Sequence, residues 1–346
     1  MGLKLHSRKP DIENLYKVLK CEKPGRPTLF EFIINLPLCE KLAGRELPKT
    51  GDGNLEYGKL IIDAFAAAGY DFACLHGSSF NFPSNRNHDD AKNTISLNEG
   101  VSITDWESFE KYKWLEPENF DYSRLDKLGE YMPEGMKLML CGPCGVLENV
   151  ITLTGYDNLC IMLYEEPELA KAVFDNVGRR MVKYYEIAAP HESVGLLMSN
   201  DDWGFKTQTL LSHEQLRQYV FPWHKKIVEA ARANKKPAVL HSCGHFSGIM
   251  DDIIDDIGFA GRHSYEDTIT PVEEAYDKWH KRIAILGGMD INFLINNDEK
   301  AITARARKML EKADADGSFA LGTGNSVPEY IPQEHYFAMI KAALEY

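Results

Sequence analysis

The chain has 346 residues, 44% of them hydrophobic and 26% charged, with a formal net charge of −13. That length suits one large domain or two ordinary ones, and the composition is that of a globular protein. The acidic balance argues against nucleic acid as a partner, because phosphate binding needs a basic face. No apolar run reaches the roughly 18 residues that cross a bilayer. The opening "MGLKLHSRKPDIENLYKVLK" lacks an apolar signal-peptide core. The expected location is therefore the cytoplasm, with no membrane partner. Seven cysteines, odd in number and thinly spread, fit a reducing compartment better than a disulfide framework.

In chain order, a short helix over 12–20 is broken by "EKPGRP", and "TLFEFIINL" reads as a strand rich in β-branched and aromatic residues. "LEYGKLIIDAFAAAG" has apolar residues at helical spacing and a glycine stop. "YDFACLHG" is a second strand. Residues 78–135 are the least regular part, with "NFPSNRNHDDAKN" as a surface loop. From "MKLMLCGP" onward, strands alternate with helices over 167–189, 212–234, 246–258, 271–280, 298–315 and 332–346. The strands are expected at 28–35, 70–76, 136–141, 194–199, 237–241, 259–264, 283–287 and 317–321. Eight strands alternating with helices predict an α/β fold, a (β/α)₈ TIM barrel forming one domain over 1–346, with an N-terminal helical extension over about 1–27. A doubly wound open sheet is the rival, weakened by the absence of GxGxxG after the first strand.

In such barrels the functional site lies at the C-terminal ends of the strands. Those ends carry Glu31 and Asn35, His76, Cys141, Asn200 with Asp201 and Asp202, His241 and Cys243, His263 with Glu266, Asp290, and Thr323 with Asn325. Residues two apart in a strand share a face, so His241 and Cys243 can converge on one point. An imidazole and a thiolate suit zinc, which would need a third ligand. Alternatively Cys243 is a small buried hydrophobe beside a hydrogen-bonded histidine, or the two form a nucleophile–base pair. "CGPCG" at 141–145 reads as a turn, because a CxxC without a second pair is weakly specific. "NDDWG" at 200–204 offers a ligand or a general base, or else a capping aspartate. "DDIIDD" at 251–256 reads as a solvated helix face.

Together these segments resemble the uroporphyrinogen decarboxylase superfamily, and within it the cobalamin-dependent methyltransferase branch. The resemblance rests on "LYKVLKCEKPGRPTLFEF", "DDWGFKTQTLLSHEQLRQYVFPWHKKIVEAA", "VLHSCG" and "FALGTGNSVPEYIPQEHYFAMIKAA". True decarboxylases of the family have an arginine-rich clamp after the first strand. Here "NLPLCEKLAGRELPKT" has Arg45 alone. The resemblance implies a zinc-assisted methyltransferase that works with a corrinoid (cobalamin) on a partner protein and a small methylated substrate, such as an aromatic methyl ether. The alternatives are a decarboxylase-like lyase and a non-catalytic binding barrel. His241 and Cys243 match the branch's metal ligands. A third cysteine is expected near the eighth strand, but "LGTGNS" has none, so Asp201, Asp202, Glu148, His76 and His263 become replacement candidates. Asp201, Asp202 and His263 are expected to be catalytic. His76, Trp203, Tyr265 and Asn325 are expected to bind substrate, with Phe80 and Phe82 nearby. The reading also admits a homodimer.

Overall fold

A computed structural model of the chain describes residues 5–49, 53–85 and 96–346. Part of the expected 81–93 loop therefore lies outside the described residues. Eight short strands form the centre: β1 (Thr28–Leu29), β2 (Phe72–His76), β3 (Lys137–Cys141), β4 (Val194–Asn200), β5 (Ala238–His241), β6 (Gly261–His263), β7 (Ala284–Leu286) and β8 (Phe319–Leu321). Nearly every residue in them is buried, as happens when helices cover a parallel sheet on its outer face and side chains fill the inside. Every pairing is parallel, and the order is β1-β8-β7-β6-β5-β4-β3-β2. The expected TIM-barrel type is thus found as a curled sheet. Among the described residues no ladder joins β1 to β2. The rings of Phe30 and Phe72, 5.3 Å apart, pack across that seam.

The eight expected strands are all present. The largest difference is β1, expected to run to residue 35. The ladder stops at Leu29 because the chain turns to bury Glu31, and only an isolated bridge, Ile34 to Val327, continues the pairing. Asn35 then starts a helix over Leu36–Ala43 that the strand reading missed. Its side chain accepts the Leu38 N–H at 2.9 Å, with Pro37 in the first turn. The N-terminal helix Glu13–Leu19 buries Leu15, Val18 and Leu19, and Tyr16 donates its hydroxyl to Gly195 O at 3.1 Å, at the start of β4. It therefore covers the N-terminal end of the sheet, opposite the strand ends that carry the polar residues.

Two helices depart from their expected form. The segment 212–234 opens on a capping box between Ser212 and Gln215 but widens into a π-turn over Leu216–Val220. Pro222 follows directly. It has no N–H to donate and would crowd the carbonyl of Gln218 in a regular helix. The stretch 246–258 is a 3₁₀ turn followed by a π-turn over Asp252–Ile257. Its aspartates are more than a solvated face, because Asp252 pairs with Arg217, Asp255 with Arg282 and Asp256 with Lys225. Among the described residues no helix is long and apolar enough to cross a membrane.

Candidate metal centre

Strands β4 and β5 pair in register, Asn200 opposite His241. The pairing runs one step past the strands, as Asp201 N–H donates to His241 O at 3.0 Å. Asp202 and Cys243 therefore leave the sheet side by side. Asp202 Oδ1 accepts the Cys243 N–H at 2.7 Å, which holds the two loops together. Their closeness demands glycine: a Cβ on Gly244, where φ is +118, would lie 2.4 Å from Gly204 Cα.

The result is a convergence of three ligand atoms. One oxygen of Asp202, a ring nitrogen of His241 and Sγ of Cys243 all lie within 4.8 Å of one another. His241 Nε2 is 3.9 Å from Cys243 Sγ, against about 3.6 Å for a nitrogen and a sulfur on one tetrahedral zinc. Asp202, one of five replacement candidates, is the side chain that completes the set.

The protonation of His241 follows from its neighbours. Burial pushes both His241, to about 3, and His263, well below the usual range, so both rings are neutral. His263 Nε2 lies 3.1 Å from Thr323 O, which can only accept, so that nitrogen carries the proton. His263 Nδ1 is then an acceptor, and the 2.8 Å contact between the two Nδ1 atoms requires His241 Nδ1–H to donate. This leaves a bare lone pair on His241 Nε2, facing Cys243, as a metal ligand needs. Behind Thr323, its N–H donates to Glu31 Oε2 at 3.2 Å, and its hydroxyl bridges Glu31 and Asn325 O. Glu31 is fully buried, and burial pushes its carboxyl up to about 8. Protonated Glu31 can donate to the Thr323 hydroxyl oxygen, which leaves the hydroxyl's own hydrogen to donate to Asn325 O.

The Cys243 sulfur accepts two hydrogen bonds at 3.3 Å, from Ser264 Oγ and Asn325 Nδ2. Burial, then the Asp202 carboxylate, push the thiol up to about 12. Without a cation between Cys243 and Asp202 the thiol keeps its proton, so metal entry would release it. The donor set fits zinc, with one imidazole, one thiolate and one carboxylate, and a tetrahedral ion would take a fourth ligand. The place of the expected third cysteine is taken by Thr323 and Asn325, which position His263 and hydrogen-bond the sulfur. Sequence reasoning missed Ser264. Its signal in the sequence is its place directly after His263; in the structure a left-handed φ of +88, rare away from glycine, marks it.

Other expected site residues lie elsewhere. Asp201 is fully buried and faces away from the mouth. Its Oδ1 accepts the Glu148 N–H at 2.9 Å and its Oδ2 the Leu147 N–H at 3.0 Å, at the N-terminus of helix Val146–Thr154. His224 Nε2 completes the set at 2.8 Å. It is the capping aspartate weighed for "NDDWG". It also explains "CGPCG", since a Cβ on Gly145 would lie 2.0 Å from Asp201 Cβ. The catalytic expectation for Asp201 is corrected on this geometry. His263 is fully buried, and both its ring nitrogens are engaged, by His241 Nδ1 and Thr323 O, so it has no free nitrogen for a substrate. Trp203, fully buried against Phe221 and His224, and Tyr265, 2% exposed on the outer side of β6, face no substrate space. Phe80 and Phe82 are likewise buried against each other. His76 is exposed at the end of β2, its Nδ1 3.6 Å from Cys141 Sγ, apart from the triad. Glu148 lies beside the site, half-buried, and burial with Asp201 and Asp202 raises its carboxyl well above the usual range.

A parallel β/α barrel with a His–Cys–carboxylate cluster where two neighbouring strands end defines the class of molecule. The chain belongs to the uroporphyrinogen decarboxylase (URO-D) family, whose model matches residues 138–346, more than half of its length. It is 25% identical over 193 residues to a uroporphyrinogen decarboxylase of Anaeromyxobacter dehalogenans, covering 54% of this chain and 51% of that protein. It is 28% identical over 187 residues to one from Alkalilimnicola ehrlichii, covering 52% and 48%. The chain thus spans about half the length of the curated relatives it matches. Its fold is similar to that of a methyltransferase from Methanosarcina mazei, with TM-score 0.68, 15% identity and coverage of 98% of this chain and 99% of that one.

Proposed function

We propose that this protein is a methyltransferase that moves a methyl group between a small methylated substrate, such as a methyl ether, and a corrinoid carried by a partner protein. In this reading zinc is held by Asp202, His241 and Cys243. The observation that carries it is the convergence of those three ligand atoms at the sheet's C-terminal end. Bound zinc would supply Lewis-acid polarisation of the oxygen that departs from the methyl group. A carboxylate in place of a second thiolate makes the set harder and better suited to an oxygen ligand.

The chain's own residues have distinct tasks here. His263 fixes the His241 tautomer, and Glu31 and Thr323 hold the carbonyl that fixes His263. Ser264 and Asn325 stabilise the Cys243 sulfur as thiolate. Asn325 thus takes a supporting role at the metal, where sequence placed it on substrate. The buried Trp203, Phe80, Phe82 and Tyr265 offer no wall for an aromatic ring, so the methyl donor need not be aromatic. Against porphyrinogen as substrate, Arg45 is committed to Asp63, with Nε and Nη2 at 3.0 and 2.8 Å. No second arginine in that segment is available for carboxylates.

The test offers purified zinc-supplied protein cob(I)alamin and a panel of methyl ethers and methylamines, and follows conversion of the cobalt(I) spectrum to methylcobalamin. Methylation with at least one donor, or demethylation in reverse, is the expected result. No transfer in either direction, with decarboxylation of a porphyrinogen instead, would overturn the proposal.

A further inference from the structure

A second site lies outside the sheet, behind the metal loop. Side chains alternate along β6, so His263 points inward and Arg262 outward. Arg262 is 4% exposed, and among the described residues no carboxylate pairs with it. Of its five N–H donors only Nη2 has a partner, Ser242 O at the long distance of 3.5 Å, and Nε has none. The guanidinium lies over the rings of Phe246 and Tyr265, 4.7 and 4.6 Å from their centroids. The Tyr265 hydroxyl is buried without a hydrogen-bond partner. The guanidinium acts on its oxygen electrostatically and as a weak donor that falls short of a regular hydrogen bond, which leaves the Tyr265 O–H itself free to donate. Arg262 and Tyr265 are among the residues that line a small cavity with Ser247, Ser264 and Thr270, which has room for about one water-sized group. Glu266 is on its rim, with its carboxylate 3.9 Å from Lys206 Nζ.

A buried charge without a counter-charge is costly, and the two cation–π contacts offset only part of that cost. A bound anion would supply what the chain does not. We propose that this cavity binds a small monovalent anion, a halide or one carboxylate oxygen of a small molecule whose remainder lies outside the cavity, held by Arg262 with the Tyr265 hydroxyl as second donor. Ser264 belongs to both this cavity and the Cys243 sulfur. The anion would therefore lie one side chain behind the metal ligand.

The experiment follows thermal unfolding of the full chain against sodium bromide and, separately, sodium acetate. Wild type is expected to show a saturable rise in midpoint with at least one of them. Response to bromide alone identifies a halide site, and response to acetate identifies a carboxylate site. Arg262→Met should abolish the rise, and Tyr265→Phe should weaken the apparent affinity about tenfold. An anomalous peak beside Arg262 in bromide-soaked wild-type crystals supports the site even if Arg262→Met fails to fold. A wild type that responds to neither anion overturns the proposal. So does an equal rise in wild type and Arg262→Met, which would be a general salt effect.

Discussion

Asp201→Ala is expected to lower folding stability by about 3–5 kcal/mol, whereas Asp202→Ala, one residue on, should cost about 1 kcal/mol. Asp201 is fully buried and accepts from two N–H groups of one helix start and from His224. Its removal strands three buried polar groups at once, and His224 keeps only Ser199 Oγ at 2.8 Å. Asp202 is half-buried and accepts one backbone N–H, that of Cys243. Urea unfolding followed by circular dichroism measures both. Equal losses in the two variants would contradict the separation into one structural and one ligand carboxylate.

The second large effect is expected at His263. His263→Leu should weaken metal binding about 10- to 100-fold, as loss of a group that orients a metal-binding histidine does. Without His263 nothing requires His241 to carry its proton on Nδ1, and the ring can present a protonated Nε2 to the metal. His263→Gln is the informative companion. Its amide can donate to Thr323 O and accept from His241 Nδ1, so it should recover part of the affinity. Competition with a chromophoric chelator reads both variants. If Leu and Gln give the same affinity as wild type, the tautomer argument fails. If Gln is as weak as Leu, volume and not hydrogen bonding explains the site.

Much of the barrel was legible because strand and helix periods alternate strongly after residue 136. Each expected strand lies over an observed one. Each difference has an identifiable cause. The strand composition of "FEFII" predicts a longer β1, while the burial of Glu31 against Thr323 is a contact across 292 positions that no local pattern encodes. The π-turn before Pro222 and the one over 252–257 look like regular helix in sequence, because period alone does not show where a turn widens. At the site, the spacing of His241 and Cys243 was readable, since strand geometry puts alternate residues together. The choice between Asp201 and Asp202 was not. Adjacent residues leave a strand end in opposite directions, and which one faces the mouth depends on the pairing of Asn200 with His241. Tyr265 and Trp203 looked like mouth residues for the same reason, and the structure turns both away.

The most direct test is the metal content of the purified protein after zinc supply and gel filtration, measured by inductively coupled plasma mass spectrometry on wild type, Asp202→Ala, His241→Ala and Cys243→Ala. About one zinc per wild-type chain, with substantial loss in each of the three variants while circular dichroism is unchanged, is the predicted result. A wild type without bound metal, or zinc retained in full by all three variants, would contradict the assignment of the triad.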